Sequence, residues 1–277
     1  MILNSQRTIY GLDLQMAMVA GLPYTIRPNT TINEKLNILP TTPLPADTYP
    51  TMRYYAIGIG GLNIVQDVAK YSYSMHQTTD AALFEQVPFV IKPVANDLPA
   101  DERAKYRMRV VKVIGGVEYS LYYYRLIDMN NIDNDIYKIT VANNIPKLTR
   151  FSTDTDKLLN PIPRDPSTTL FNTSNTDYIT KILKLPFILH REDLVEIEAA
   201  LTLLYGINHG KHLREIAMCS GVEKDVDPAI YGYSKEAVNS QVMFHSTIDV
   251  SSSLLLSQNE ELVRSISLGG QEPLILS

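Results

Sequence analysis

His209 and His212, in the sequence HGKH, have the types and spacing that could do metal chemistry: two imidazoles at i and i+3 can share one helical face and one metal ion. No cysteine stands near them and a third ligand would have to come from elsewhere in the chain. Solvent-facing residues at a helix start are therefore the ordinary alternative. Cys219 would need a histidine base and an environment that favours the thiolate before it could act as a nucleophile. Its neighbours Ile216 and Met218 suit a small apolar residue in a core instead. Gly58, Gly60 and Gly61 superficially match a phosphate loop, but neither the third glycine of a dinucleotide fingerprint nor a Gly-Lys-Ser/Thr follows, so they read as a turn. Glu192/Asp193 and Glu260/Glu261 are carboxylate pairs. Paired acids can cleave glycosides, yet the chain has no tryptophan to serve as a sugar platform, and these pairs read as helix-start or solvated charges. From these residues the sequence assigns no catalytic group, cofactor or metal.

The side chains that demand explanation are apolar. Between Pro23 and Pro50 six prolines, at 23, 28, 40, 43, 45 and 50, punctuate the chain. Each fixes its own φ, lacks an N–H and biases the residue before it towards an extended conformation. The same stretch carries Tyr24, Ile26, Ile32, Leu36, Ile38, Leu39, Leu44 and Tyr49, which need a surface to bury against. These eight are expected to form an interface, with residues 27–51 packed on another chain. Tyrosine is abundant, 17 against 6 phenylalanines, and clusters at Tyr54-Tyr55, Tyr71/Tyr73 and Tyr122–Tyr124. A large ring with a hydrogen-bonding tip suits surfaces that are wet before assembly and dry after it; an ordinary strand with tyrosines at its rim is the alternative.

The elements that must position these residues form an α+β pattern: an antiparallel β meander or sandwich, a helical hairpin, a long extended N-terminal arm and long irregular loops. A short helix over 12–20 should dock through Leu14, Met16 and Met18 and stop at Gly21. Residues 54–57 read as a strand ending in the glycine turn, and 79–91 as a helical turn and a strand interrupted at Pro88. Residues 97–102 should start a helix, with carboxylates in its first turn. Strands at 106–114 and 117–127 flank Gly115-Gly116, which supplies the positive φ of a tight hairpin. A strand at 136–141 should extend the hairpin into a meander. Residues 147–176, rich in Pro, Thr, Asn and Asp, show no period and read as a linker or a loop that embraces a partner. A helix over 191–205 carries Leu194, Ile197, Leu201 and Leu204 on one stripe and stops at Gly206. A second helix over 211–220 should complete a helical hairpin. Val242, Phe244, Ile248 and Val250 alternate as in a strand, and 262–268 suggests another. The segments are thus 1–52 (helix and arm), 53–146 (β-rich core), 147–177 (loop) and 178–277 (helical hairpin and strands), the second and fourth forming one domain.

At 277 residues, with 45% hydrophobic and 20% charged residues, the chain can bury a substantial core. A net charge of −5 argues against a dedicated nucleic-acid binder. The densest basic run, Arg103 to Lys112, reads as a solvated strand edge. A single cysteine leaves no intramolecular disulfide and fits a reducing compartment. No run reaches the length of a membrane span, and the N-terminus lacks the form of a secretory signal.

Three long strings carry a likeness to known proteins: RTIYGLDLQMAMVAGLPYTIRPNTTINEKLNILPTTPLPADTYPTMRYYAIGIGGL, TTDAALFEQVPFVIKPVANDLPADERAKYRMR and LREIAMCSGVEKD. Together they resemble a family of virion structural proteins of large bacteriophages with contractile tails, over most of the chain from about Arg7 to Asp225. The resemblance implies a non-enzymatic particle component, found in the virion and assembled in the host cytoplasm. Its implied partners are other copies of itself and neighbouring tail or neck proteins, in an oligomeric ring of the neck, or head-to-tail connector, with the baseplate as the alternative station. A fibre-attachment module and a metal- or acid-dependent hydrolase stay open as other classes.

Overall fold

Strand β1 (Ile2–Arg7) leads directly into helix α1 (Ile9–Ala20). Thr8 caps the helix: its hydroxyl accepts from the Gly11 amide at 3.1 Å and donates to the Val242 carbonyl at 2.7 Å, tying the helix start to the sheet. Gly21, at φ 63°, ends it. The inward face is Tyr10, Gly11, Leu14 and Ala17. Met16 and Met18, expected to dock the helix, are exposed. The helix starts three residues earlier than expected, and the 10–14–17 spacing defines its buried stripe.

A computed structural model of the chain describes residues 2–38, 40–65, 70–130, 132, 135–142, 145–152, 177–207, 211–226, 235–250 and 262–273. After α1 the chain forms the short helix α2 (Ile32–Lys35), then β2 (Thr51–Gly58), the two-stranded sheet β3 (Leu62–Val65) and β4 (Lys70–Tyr73), β5 (Gln86–Val87) and β6 (Val90–Pro93). A turn rather than a helix precedes β5. The expected helix start near Asp97 shrinks to α3 (Ala100–Arg103), where Asp101 and Glu102 occupy the first turn. β7 (Tyr106–Ile114) and β8 (Val117–Leu126) form the hairpin read from the sequence, with Gly115 at φ 58° and Gly116 at φ 84°.

β9 (Ile136–Ala142) does not extend that hairpin. It pairs antiparallel with β10 (Ile145–Arg150) and β11 (Asp177–Leu189). Residues 145–150 are therefore strand where a structureless passage was expected to begin; 153–176 lie outside the described residues. Helix α4 (Arg191–Tyr205) has the expected bounds and buries Leu194, Ile197, Ala200 and Leu201. Leu204, assigned to the same stripe, is half-buried.

The expected second helix is instead strand β12 (Leu213–Asp225), paired on both sides, with β13 (Lys235–Val250) and with β2. The helical hairpin is corrected by this strand. Nine consecutive residues from Leu213 to Gly221 are buried; a strand covered on both faces shows no alternation, and its apolar run imitates a helix. β14 (Leu262–Pro273) carries Gly269-Gly270 within it rather than beyond it.

The architecture is α+β and mainly antiparallel. One eight-stranded sheet runs β1-β13-β12-β2-β8-β6, with β5 beside β2 and β7 beside β8; a four-stranded sheet runs β10-β9-β11-β14. Two compact units result. The first comprises Met1–Ile127 and Phe187–Val263, and the second Asp128–Pro186 and Arg264–Ser277. The core of the first unit joins Ile32, Tyr54, Met108, Leu121, Tyr124 and Cys219, with the Tyr54 and Tyr124 rings stacked at 5.5 Å.

The arm lies along its own sheet. Asn33 reaches β13 with both ends of its amide, donating to the Ala237 carbonyl and accepting from the Ser240 amide, each at 2.9 Å. Tyr24 donates to Gln241 Oε1 at 2.7 Å, and Gln241 donates to Thr30 at 2.8 Å. Asn239, at φ 53° where the β12–β13 register shifts, donates to the Thr42 carbonyl at 2.8 Å and accepts its amide at 3.0 Å. An extended segment finds burial by pairing its polar groups with a bulged strand of its own chain.

Candidate functional site

Glu215 stands in β12, flanked by strands on both sides. Its carboxylate is satisfied from loops. Its Oε1 accepts from His76 Nε2 at 2.7 Å and from the Phe84 amide at 2.9 Å; its Oε2 accepts from the Gly60 amide at 2.9 Å and the Glu85 amide at 3.3 Å. The His76 and Glu215 side chains are each 2% exposed. His76 Nδ1 lies 3.2 Å from Asp80 Oδ2, and its ring is stacked between Phe84 at 4.0 Å and His245 at 3.8 Å. His245 Nε2 donates to the Asp80 carbonyl at 3.0 Å, whereas its Nδ1 is buried without a partner among the described residues.

The backbone permits this arrangement because Gly60 carries no side chain: a Cβ there would come within 2.6 Å of Phe84 Cβ and 2.7 Å of the Glu85 amide. Burial would raise the Glu215 carboxyl, but hydrogen bonds from His76, Phe84 and Glu85 outweigh it and hold the group below the usual carboxylate range. Burial, reinforced by the neighbouring His76, pushes His245 down to about 4. A histidine between two carboxylates can hold or pass a proton, but this one is sealed and its partners are occupied. The cluster works as a clasp: one strand carboxylate pins the 58–61 turn and the 76–85 loop to the sheet.

A second network gathers on Asp97. It accepts from Arg109 at 2.9 Å, Ser120 at 2.7 Å and Tyr122 at 2.8 Å. Arg107 bonds Glu223 at 3.0 Å, Lys105 bonds Glu102 at 2.8 Å, and Arg103 lies 3.8 Å from Asp97. The basic run from Arg103 to Lys112 is therefore largely neutralised by carboxylates rather than displayed as a solvated edge.

Of the residues singled out by type, His209 and Glu260/Glu261 lie outside the described residues. His212 directly precedes β12 and is not helical, which corrects the helix start expected for it. Cys219 is completely buried, and burial pushes its thiol up to about 12. Asp193 serves α4, accepting from the His190 amide at 2.9 Å and pairing with Arg125 at 2.7 Å. Tyr54, Tyr55 and Tyr122–Tyr124 are core residues, which corrects their assignment to a wet interface; the side chains of Tyr71 and Tyr73 lie outside the described set.

The eight arm residues divide. Tyr24, Ile26 and Ile32 are buried by their own chain, a correction to the neighbour that was expected to cover them. Leu36 and Ile38 are partly buried against the main core, and Leu44 and Tyr49 against the cluster of Tyr10, Leu14 and Met243. Leu39 lies outside the described residues. A cavity of about 470 Å³ remains between 21–28 and 41–49.

What the sequence did not single out is the outer face of α1. Ile9, Leu12 (46% exposed), Met16 (57%) and Val19 (78%) follow one another at spacings of 3, 4 and 3, opposite the docked stripe, and Leu22 (58%) continues the line past the helix end. Val111 and Val113 are also exposed, on one face of the β7–β8 hairpin close to its turn, with Val117 exposed on the opposite face. Helical period analysis of residues 9–19 would have shown two apolar stripes.

The family of unknown function DUF7208 matches residues 3–277, and the chain belongs to that family. No curated protein and no solved structure matches it.

Proposed function

We propose that this DUF7208 member is a non-enzymatic structural subunit of a contractile-tailed phage particle, acting in an oligomeric ring of the neck between head and tail. The virion setting rests on the resemblance of its three long strings. The observation that carries the structural role is the contrast between its polar and apolar groups. The histidine–carboxylate cluster is closed, with His76 and Glu215 bonded to each other inside the subunit, whereas large apolar side chains face outward on α1 and on the β7–β8 hairpin.

A helix apolar on two faces is half-finished when only one is covered. Two separate patches, one on a helix packed against β13 and one on the hairpin at the other end of the strand order, give each copy more than one contact. A self-complementary contact through one patch joins two copies, contacts through the other link such pairs into a larger closed assembly, and many modest contacts add up to avidity. The arm serves this scheme from its outer side, since its inner side is held by β13.

Labelling the chain inside intact particles and imaging the label tests the assignment. A ring of label at the head–tail junction is expected; particles lacking the protein would overturn it.

A further inference from the structure

We infer that α1 pairs antiparallel with α1 of a second copy through Ile9, Leu12, Met16 and Val19. The inference names the partner of the α1 patch and to that extent rests on the assembly role above.

The spacing selects a helix as the occupant. Positions 9, 12, 16 and 19 fall at the a and d sites of a heptad, the seam that two helices share when their side chains interdigitate. The docked residues Tyr10, Gly11, Leu14 and Ala17 fall on the other side, so sheet and partner can hold α1 simultaneously. The seam contains no charge along its roughly 15 Å.

Its flanks select an identical helix. Asp13 lies on one side of the seam, paired with Arg27 at 3.5 Å, and Gln15 on the other, accepting from Arg7 at 2.6 Å. An antiparallel two-fold near residue 14 sets two neutral Asp–Arg pairs side by side on one flank and two Gln15 amides, each holding an Arg7 guanidinium through its oxygen, on the other. Antiparallel order also opposes the helix dipoles. Leu12 then faces Met16 of the second copy and Ile9 faces Val19. Four partly exposed side chains per copy make a small contact, in the size class of weak association.

Sedimentation of the purified chain over a concentration series tests the pairing. The wild type should pass from monomer to dimer, and Met16→Glu/Val19→Glu, at exposed positions, should raise the dissociation constant at least about tenfold with an unchanged circular dichroism spectrum. A Leu12→Cys/Met16→Cys chain should form a disulfide-linked dimer on mild oxidation, because the native Cys219 is buried and silent. A wild type monomeric at every concentration, a glutamate variant that dimerises as well as the wild type, or a cysteine variant that stays monomeric would each overturn the pairing. A monomeric chain that still enters particles overturns this contact alone; a dimer absent from particles supports the contact and sinks the virion role.

Discussion

Acidification should unlock the clasp through His245. Its ring is buried against His76, its Nε2 is committed to the Asp80 carbonyl, and a proton added to Nδ1 would find no acceptor among the described residues. Asp80 and Glu215 are the carboxylates facing this pair, and both are already engaged with His76. The folded protein therefore holds His245 at about 4 against an ordinary 6.5. Above pH 6.5 the imidazole is neutral whether the chain is folded or not, and the shift contributes nothing. Between 6.5 and 4 the unfolded chain takes up a proton that the folded chain refuses, so stability falls with pH. At pH 4.5 the loss is about 2.5 kcal/mol. Glu215 acts in the same direction, because its lowered carboxyl loses its contribution as pH falls. Urea unfolding of wild type and His245→Phe at pH 7.5 and 4.5 isolates the histidine: the aromatic stack is kept and the titration removed. The wild type should lose about 2.5 kcal/mol more than the variant between the two pH values. Equal losses would refute the role given to His245.

Other perturbations probe the same framework. Glu215→Gln puts an amide NH₂ among the His76, Gly60, Phe84 and Glu85 donors, and should cost about 3 kcal/mol in urea unfolding at pH 7. Gly60→Ala forces Phe84 and the Glu85 backbone aside and should lower Tm by several degrees in calorimetry, while Gly115→Ala, where a Cβ meets nothing, should be limited to backbone strain of about 1 kcal/mol. Cys219 should resist a thiol reagent in the native state and react fully in denaturant, followed by absorbance. Ile32→Ala should destabilise by about 2–4 kcal/mol even in a monomer, because the cavity opens inside the subunit's own core.

Local chemistry was legible in the sequence where a residue type dictates its own backbone. Gly115-Gly116 announces the hairpin, Gly206 and the acidic first turn delimit α4, and Gly21 stops α1. Tertiary context decided the rest. LREIAMCSG reads as helix because both its faces are buried, and only the neighbours β2 and β13 make it a strand. The clasp joins His76, Glu215 and His245 across 139 and 30 residues of chain, with no motif linking them. The prolines marked the stretches around α2 as extended but not the helix Ile32–Lys35 itself, and extension says nothing about whose surface covers them; Asn33, Asn239 and Gln241 hold that answer in their side chains.

Methionine oxidation, read by mass spectrometry on the free chain and on purified particles, tests most directly whether neighbouring molecules complete this subunit. Met16 and Met18 stand about half exposed on α1, whereas Met108 and Met218 are buried in the subunit itself. In the dilute free chain the first pair should oxidise readily and the second resist; in particles Met16 should become as resistant as Met108. Oxidation of Met16 at the same rate in both states would contradict the assembly role given to its face.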